Sequence, residues 1–174
     1  MDSWAAGQLS VVEPSAAQLL RHLRHANDIA RRVASKGHHP FGAILVAADQ
    51  ETVLMEQGNI DAVNHAESTL ARLAAAKYAP EFLWDCTLYT SVEPCCMCSG
   101  TIYWANIGRV VFGATEKQLL QVTGSSPENP TMSLPASYVF AHGQKHIALT
   151  GPVAAVVPEV VALQREFWAG RPRT

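Results

Sequence analysis

Apolar side chains recur at Leu19, Leu23, Ala26, Ala30 and Val33, the spacing of one helix face. They predict a first helix from Ser15, a favoured N-cap, to about Lys36, with Gly37 as its stop. Phe41 to Ala48 is almost continuously apolar and predicts a buried strand. Asp49-Gln50-Glu51 turns it into a second strand near Thr52 to Gln57. After the polar loop Gly58 to Asn64, the alanine-rich stretch from His65 to about Tyr78 predicts a helix that ends before Pro80. Cys86 to Val92 and Arg109 to Ala114 read as strands, and between them Pro94 to Trp104 reads as a helix with proline at its first position. Gly124 to Pro135 is the one long loop. A further helix, a strand at His146 to Thr150 and a helix at Pro158 to Trp168 complete the order. A two-strand hairpin followed by alternating helices and strands predicts an α/β fold: a three-layer α/β/α domain around a mixed five-stranded sheet.

Composition narrows the classes. With 174 residues, the chain is expected to form one domain spanning 1–174. Hydrophobic residues at 48% and charged residues at 16% point to a packed core rather than disorder. The net charge of −2 argues against nucleic-acid binding through bulk charge. No apolar run reaches the roughly 18 residues a membrane span needs, and Met1-Asp2-Ser3-Trp4 lacks the basic start of a secretory leader. A cytoplasmic setting is therefore expected, where four cysteines suggest metal or catalysis before disulfides.

Two stretches carry chemistry. His65-Ala66-Glu67 stands at the start of a predicted helix, and Pro94-Cys95-Cys96-Met97-Cys98 at a strand-to-helix junction. Cys95 and Cys98 lie three apart, so in a first helical turn both sulfurs can face one metal. The positive end of a helix favours thiolates. His65 supplies a third ligand, and one His with two Cys leaves the fourth tetrahedral position open, the mark of a catalytic zinc. Glu67 adds a group able to take a proton from water, which a structural site does not require. His65 and Glu67 are two apart, however, and face each other only where the helix is just beginning. Two other readings stay open at this level. Cys-x-x-Cys could be a redox pair, which leaves His65-Ala66-Glu67 unexplained. The zinc could also be structural, with Cys86, Cys96 or another histidine as fourth ligand.

The constellation resembles the cytidine and deoxycytidylate deaminase superfamily, whose zinc base deaminases carry a His-x-Glu and a Pro-Cys-x-x-Cys motif. The resemblance extends to Pro40–Val46, Thr87–Pro94 and Gly100–Ala105, and spans roughly Ala17 to Ala114. Within the superfamily it is nearest the guanine deaminase and nucleoside deaminase branch, which shares ancestry with bacterial tRNA adenosine deaminases and yeast-type cytosine deaminase. It implies a cytidine deaminase-like fold, with Zn²⁺ on His65, Cys95 and Cys98 and Glu67 as proton carrier. It also implies that Asn59 hydrogen-bonds the substrate ring, that Phe41 stacks on the base and that the protein is a homodimer. Glu128 falls in the long loop, where purine deaminases of this type often place an acidic residue that reads the base. The stretch from Gly58-Asn59 to His65 is shorter than is usual in the family, and Asn64 there is either a substrate contact or the helix cap.

The implied activity is hydrolytic deamination of a nucleobase or related small N-heterocycle, guanine-like by preference. The alternatives are a tRNA-specific adenosine deaminase and a cytosine or nucleoside deaminase. Only the first helix favours RNA: Arg21, Arg24, Arg31, Arg32 and Lys36 stand there against Asp28, whereas the last residues offer only Arg171 and Arg173. His22, His25, His38 and His39 read as surface or loop residues, and Cys86 and Cys96 as buried small apolar groups. Phe167 and Trp168 either pack the last helix into the core or close a neighbouring site in a dimer.

Overall fold

Ser15 caps α1 (Ala16–Ala34) through a reciprocal exchange with Gln18, which satisfies two orphan donors of the first turn. This computed structural model describes residues 12–169 and 171, so Met1-Asp2-Ser3-Trp4 and Arg173 lie outside the described residues. The elements that follow are β1 (Gly42–Val46), β2 (Val53–Gly58), α2 (Ala66–Lys77), α3 (Pro80–Trp84), β3 (Thr87–Val92), α4 (Cys96–Trp104), β4 (Arg109–Ala114), α5 (Glu116–Thr123), α6 (Ala136–Ala141), β5 (Ala148–Thr150) and α7 (Val157–Trp168).

The strands form one sheet in the order β2-β1-β3-β4-β5. The hairpin makes β1 antiparallel to β2, and β1 also runs antiparallel to β3. From β3 onward the sheet is parallel, with α4 as the crossover between β3 and β4. The central strands are buried throughout, whereas the edge strand β2 is half-exposed. That explains why β1 reads as an unbroken apolar run and β2 does not. Alternate residues serve opposite faces: Leu45, Leu88 and Val110 pack with Leu70 of α2 and Ile102 of α4, while Ile44, Tyr89 and Val111 pack with Leu23 and Ile29 of α1. Gly42 permits that second layer, because a Cβ there would lie 2.3 Å from the carbonyl oxygen of Ala26.

The expected mixed five-stranded sheet between helical layers is observed. Two helices had no place in the predicted order. Pro80 starts the short α3, whose backbone is preset by proline at N1. Either α5 or α6 can take the place of the one further helix expected after β4, and both are present. Pro94 precedes the N-cap of α4 rather than opening the helix.

His22 corrects the expectation of a surface histidine. It is 2% exposed, and its Nε2 lies 2.8 Å from the Gln50 carbonyl oxygen. Gln50, itself buried, accepts from the Tyr89 hydroxyl and donates to Thr87 Oγ1. Burial holds the His22 pKa below its ordinary 6.5, with Arg21 and His25 acting in the same direction and Gln50 and Glu51 opposing. A depressed folded-state pKa means that the stabilisation is complete above the unfolded value near 6.5 and is lost as pH falls through the folded value. The melting temperature of the protein should therefore drop from pH 7 to pH 5 more steeply than that of His22→Gln. Parallel melting curves against pH for the two proteins would remove His22 from the acid response.

Candidate metal centre and catalytic cleft

The parallel strands β3 and β4 end on the same side of the sheet, and three helices, α2, α4 and α5, begin there. Crevices at the carboxyl ends of parallel strands are where open α/β sheets bind ligands. The helix N-termini add partial positive charge directed at whatever anionic groups lie between them.

His65 is the N-cap of α2 and has extended backbone (φ −65°, ψ 157°). This resolves the spacing problem: His65 is not yet helical, so it and Glu67, the second helical residue, both turn into the same cleft. Cys95 stands likewise at the N-cap of α4, with Cys98 one turn on. His65 Nδ1 lies 3.7 Å from Cys95 Sγ and 3.6 Å from Cys98 Sγ. The three ligand atoms all fall within 4.8 Å of one another. Tetrahedral zinc with ordinary Zn–S and Zn–N bonds separates S and N by about 3.6 Å, so the triad fits the ion. The Ala62 backbone acts in the same direction as Cys95 in raising the His65 pKa.

The two thiols behave as a pair. Hydrogen bonds from Cys98, and then from His65, hold the Cys95 thiol down to about 4, while the same contact with Cys95, together with burial, pushes Cys98 up. Cys95 raises the His65 pKa in turn. A divalent cation bound by these groups would take the place of their protons.

Glu67 is 4% exposed, and its Oε1 accepts a 2.7 Å hydrogen bond from Thr90 Oγ1. Its Oε2 lies 3.5 Å from Cys98 Sγ. Burial raises its pKa, with the Thr90 bond opposing. Phe41 faces the same cleft, its ring stacked at 24° on the His65 imidazole with centroids 6.4 Å apart. Asn59 is 3% exposed. Its Nδ2 donates to the Asp61 carbonyl, and its Oδ1 is buried without a partner.

Asn64 is not the cap of α2, because His65 takes that position. The Asn64 backbone and side-chain nitrogens both donate to the Asp61 carboxylate instead, and with the Val63 amide they hold Asp61 down to about 2. The loop before His65 is thus shaped by its own aspartate. Glu128 is paired with Arg171, whose guanidinium lies 4.0 Å from the centre of the Phe167 ring. From the long loop it is Asn129 that lines the cleft beside the metal triad. Trp168 is 1% exposed, in keeping with core packing of the last helix. Cys86 is fully buried, but Cys96 is only half-buried, its sulfur 3.2 Å from that of Met132.

Sequence reasoning missed four contributors: Thr90, Glu93, Glu116 and Asn129. Glu93 lies at the end of β3, 8% exposed, and accepts from the backbone amides of Glu116 and Ala136. It therefore pins the starts of α5 and α6 to the cleft. Glu116 is the first residue of α5 and also lines the cleft, 8% exposed. Burial, then the like charges of Cys95, Glu67 and Glu93, raise its pKa to about 8 against the opposing pull of His65. The start of α5 was legible in Thr115-Glu116-Lys117-Gln118, a capping box that the structure forms.

The basic run of α1 is paired on the surface. Arg21 meets Glu51 at 2.6 Å, Arg24 meets Glu159 at 2.8 Å, Arg31 meets Asp28 at 2.7 Å and Arg32 meets Glu56 at 2.9 Å. Exposed pairs of this kind add little stability, but they cancel the local field that would attract a phosphate backbone.

A family model described as the cytidine and deoxycytidylate deaminase zinc-binding region matches residues 16–114. The probable cytosine deaminase of Schizosaccharomyces pombe is 34% identical over 155 residues, 87% of this chain and 93% of that protein. The guanine deaminase of Bacillus subtilis is 43% identical over 79 residues, 43% of this chain and 50% of that protein. A solved structure of guanine deaminase from Nitrosomonas europaea superposes with a TM-score of 0.67 at 21% identity, covering 93% of this chain and 97% of that one.

Proposed function

This chain belongs to the cytidine and deoxycytidylate deaminase family, and from that premise we propose that it removes the exocyclic amine of a free nucleobase or related small N-heterocycle, guanine-like by preference. The chain is a zinc-binding hydrolytic deaminase. The observation that carries the hydrolytic reading is a buried carboxylate, Glu67, beside a His-Cys-Cys triad, and the guanine-like preference is supported by the likeness to the Bacillus subtilis guanine deaminase.

In this reading His65, Cys95 and Cys98 hold the zinc. When bound, the ion supplies Lewis acidity and lowers the pKa of water toward about 7. Glu67 takes a proton from the attacking water while Thr90 holds its other oxygen in place. It delivers that proton to a ring nitrogen and carries the next one to the amine. The carbon–nitrogen bond breaks, a carbon–oxygen bond replaces it, and ammonia leaves with one water consumed. Phe41 supplies an apolar wall for the ring.

Asn59 stands outside the cleft lining, but its unpartnered Oδ1 supports a role as an acceptor for a substrate N–H, since a buried acceptor left unmade costs free energy. Asn59→Ala should lower kcat/KM by about 5- to 150-fold, the worth of a buried hydrogen bond of about 1–3 kcal/mol, with zinc content unchanged. Steady-state kinetics on the preferred base check this, and an unchanged kcat/KM removes Asn59 from the site. Asn64 and Glu128 enter the reading one step removed: Asn64 shapes the loop that carries Asn59, and Glu128 anchors the long loop through Arg171.

Cytosine is a second candidate substrate, favoured by the relative that matches along most of its length. The paired arginines of α1 support a small molecule over tRNA adenosine. Cysteines outside any disulfide support a cytoplasmic setting for this single zinc-dependent deaminase domain. Among the described residues no helix is long and apolar enough to cross a membrane. A homodimer is part of the reading, and exposed Trp104 and Leu73, on the packed helices α4 and α2, support it.

Ammonia release from guanine, cytosine, adenine, their nucleosides and an anticodon stem-loop RNA tests the assignment. Turnover of guanine above the other bases is the expected result. Preference for cytosine installs the second reading, and inosine in the RNA with no small-molecule turnover overturns both.

A further inference from the structure

The acidic groups of the cleft do different work. Glu67 is held by Thr90, and Glu93 uses one oxygen on each of two backbone amides. Glu116 stands apart. Its own amide is fixed by Glu93 and its side chain is more than nine-tenths buried, yet among the described residues nothing hydrogen-bonds or pairs with its carboxyl. A glutamate at the first position of a surface helix normally extends into water, where it complements the helix dipole. Here Val92 and Leu119 share the cleft wall with it, on the same cavity as Glu67 and Cys95. Its carboxyl oxygens keep access to the cleft rather than being sealed off as Asn59 Oδ1 is, so a donor that enters the cleft can reach them.

We propose that the Glu116 carboxyl is a specificity-determining substrate contact that accepts a hydrogen bond from a ring N–H of the heterocycle. The inference rests on the reading of the cleft as a base-binding site and deepens it. Glu116 sits on α5, whereas Glu67 sits on α2, so the ring is gripped from a second element while the reacting carbon faces Glu67. Either protonation state of a carboxyl accepts from an N–H. A free base carries such a donor at the nitrogen that bears the sugar in a nucleoside, and a nucleoside does not. The same contact therefore admits free bases and disfavours their nucleosides.

Equilibrium dialysis of guanine, cytosine, guanosine and cytidine against the zinc-loaded protein, in a Glu67→Gln background that blocks turnover, tests this. Adding Glu116→Leu should weaken binding of the preferred base by tenfold or more, and Glu116→Gln, which keeps an acceptor oxygen, should recover part of the loss. Nucleoside affinity should change by less than threefold, so the base-over-nucleoside ratio collapses. In the otherwise native enzyme the loss should fall on KM rather than kcat, at unchanged zinc content. Equal loss for base and nucleoside, or unchanged base affinity in Glu116→Leu, overturns the proposal. A native protein that binds bases in this Glu116-dependent way but releases no ammonia leaves the contact standing and sinks the deaminase substrate assignment instead.

Discussion

Glu67→Gln should retain one zinc per chain and lose about 10²–10⁴-fold in kcat, the range that a positioned proton carrier contributes. The substitution is close to isosteric. Glutamine keeps a carbonyl oxygen for the Thr90 hydroxyl, now 2.7 Å from Glu67 Oε1, so the side chain should remain where it is. What disappears is the ability to take a proton from water and return it to the ring and the amine. Stability should hold or rise slightly, because the native carboxyl is 4% exposed and burying its charge is costly. Metal analysis, thermal melting and single-turnover rates together check the expectation. Activity within tenfold of native, with zinc still bound, would assign the proton transfers to another group. Glu116 is then the next carboxyl in the cleft to test.

The second large effect concerns the metal. His65→Ala and Cys98→Ala should each lose zinc, lose turnover to background, and melt at the temperature of the native protein after chelation. The reason is linkage: an ion that binds only the folded state stabilises it by RT ln(1 + [L]/Kd), about 4 kcal/mol at a thousandfold excess over Kd. The proposed ligands come from the N-termini of two helices, α2 and α4, so an ion held there would tie together elements far apart in sequence. Their packing against the sheet is independent of the ion, through Leu70 and Ile102 in the apolar layer. The metal-free protein should therefore remain folded at lower temperature, with its far-ultraviolet circular dichroism preserved. Stoichiometric zinc in either variant would show that the ligand set is different. A native melting temperature indifferent to chelation would show that the ion adds nothing to stability.

Much of the molecule was legible from local pattern. The unbroken apolar run of β1 and the capping residue Ser15 express short-range rules, and each predicted strand lies within a few residues of an observed one. The helices missed were short ones, such as α3, where five residues show too little periodicity to be read. The cleft was legible to the same degree. His65, Glu67, Cys95 and Cys98 stand in two compact motifs, because zinc and a proton carrier tolerate few residue types and few spacings.

Residues whose meaning depends on a distant partner were not legible. His22 reads as one more surface histidine of a basic helix until the fold sets the Gln50 carbonyl against it. Asn64 reads as a substrate contact or a helix cap until His65 takes the cap position, leaving Asn64 to Asp61. The arginines of α1 are the one feature of the sequence that favours RNA, until Glu51, Glu56 and Glu159 arrive from other elements to pair with them. Glu93 and Glu116, adjacent in the cleft and 23 positions apart along the chain, carry no mark of their joint role.

The division has a physical basis. Apolar periodicity, helix caps and metal-ligand spacing act over three or four residues, so the chain by itself determined its layers and its metal triad. Pairing of charges, the placing of a carboxyl on the cleft wall and the order of strands depend on which segments the sheet brings side by side. Only the tertiary structure decided those, because electrostatic and desolvation energies follow distance in space rather than distance along the chain.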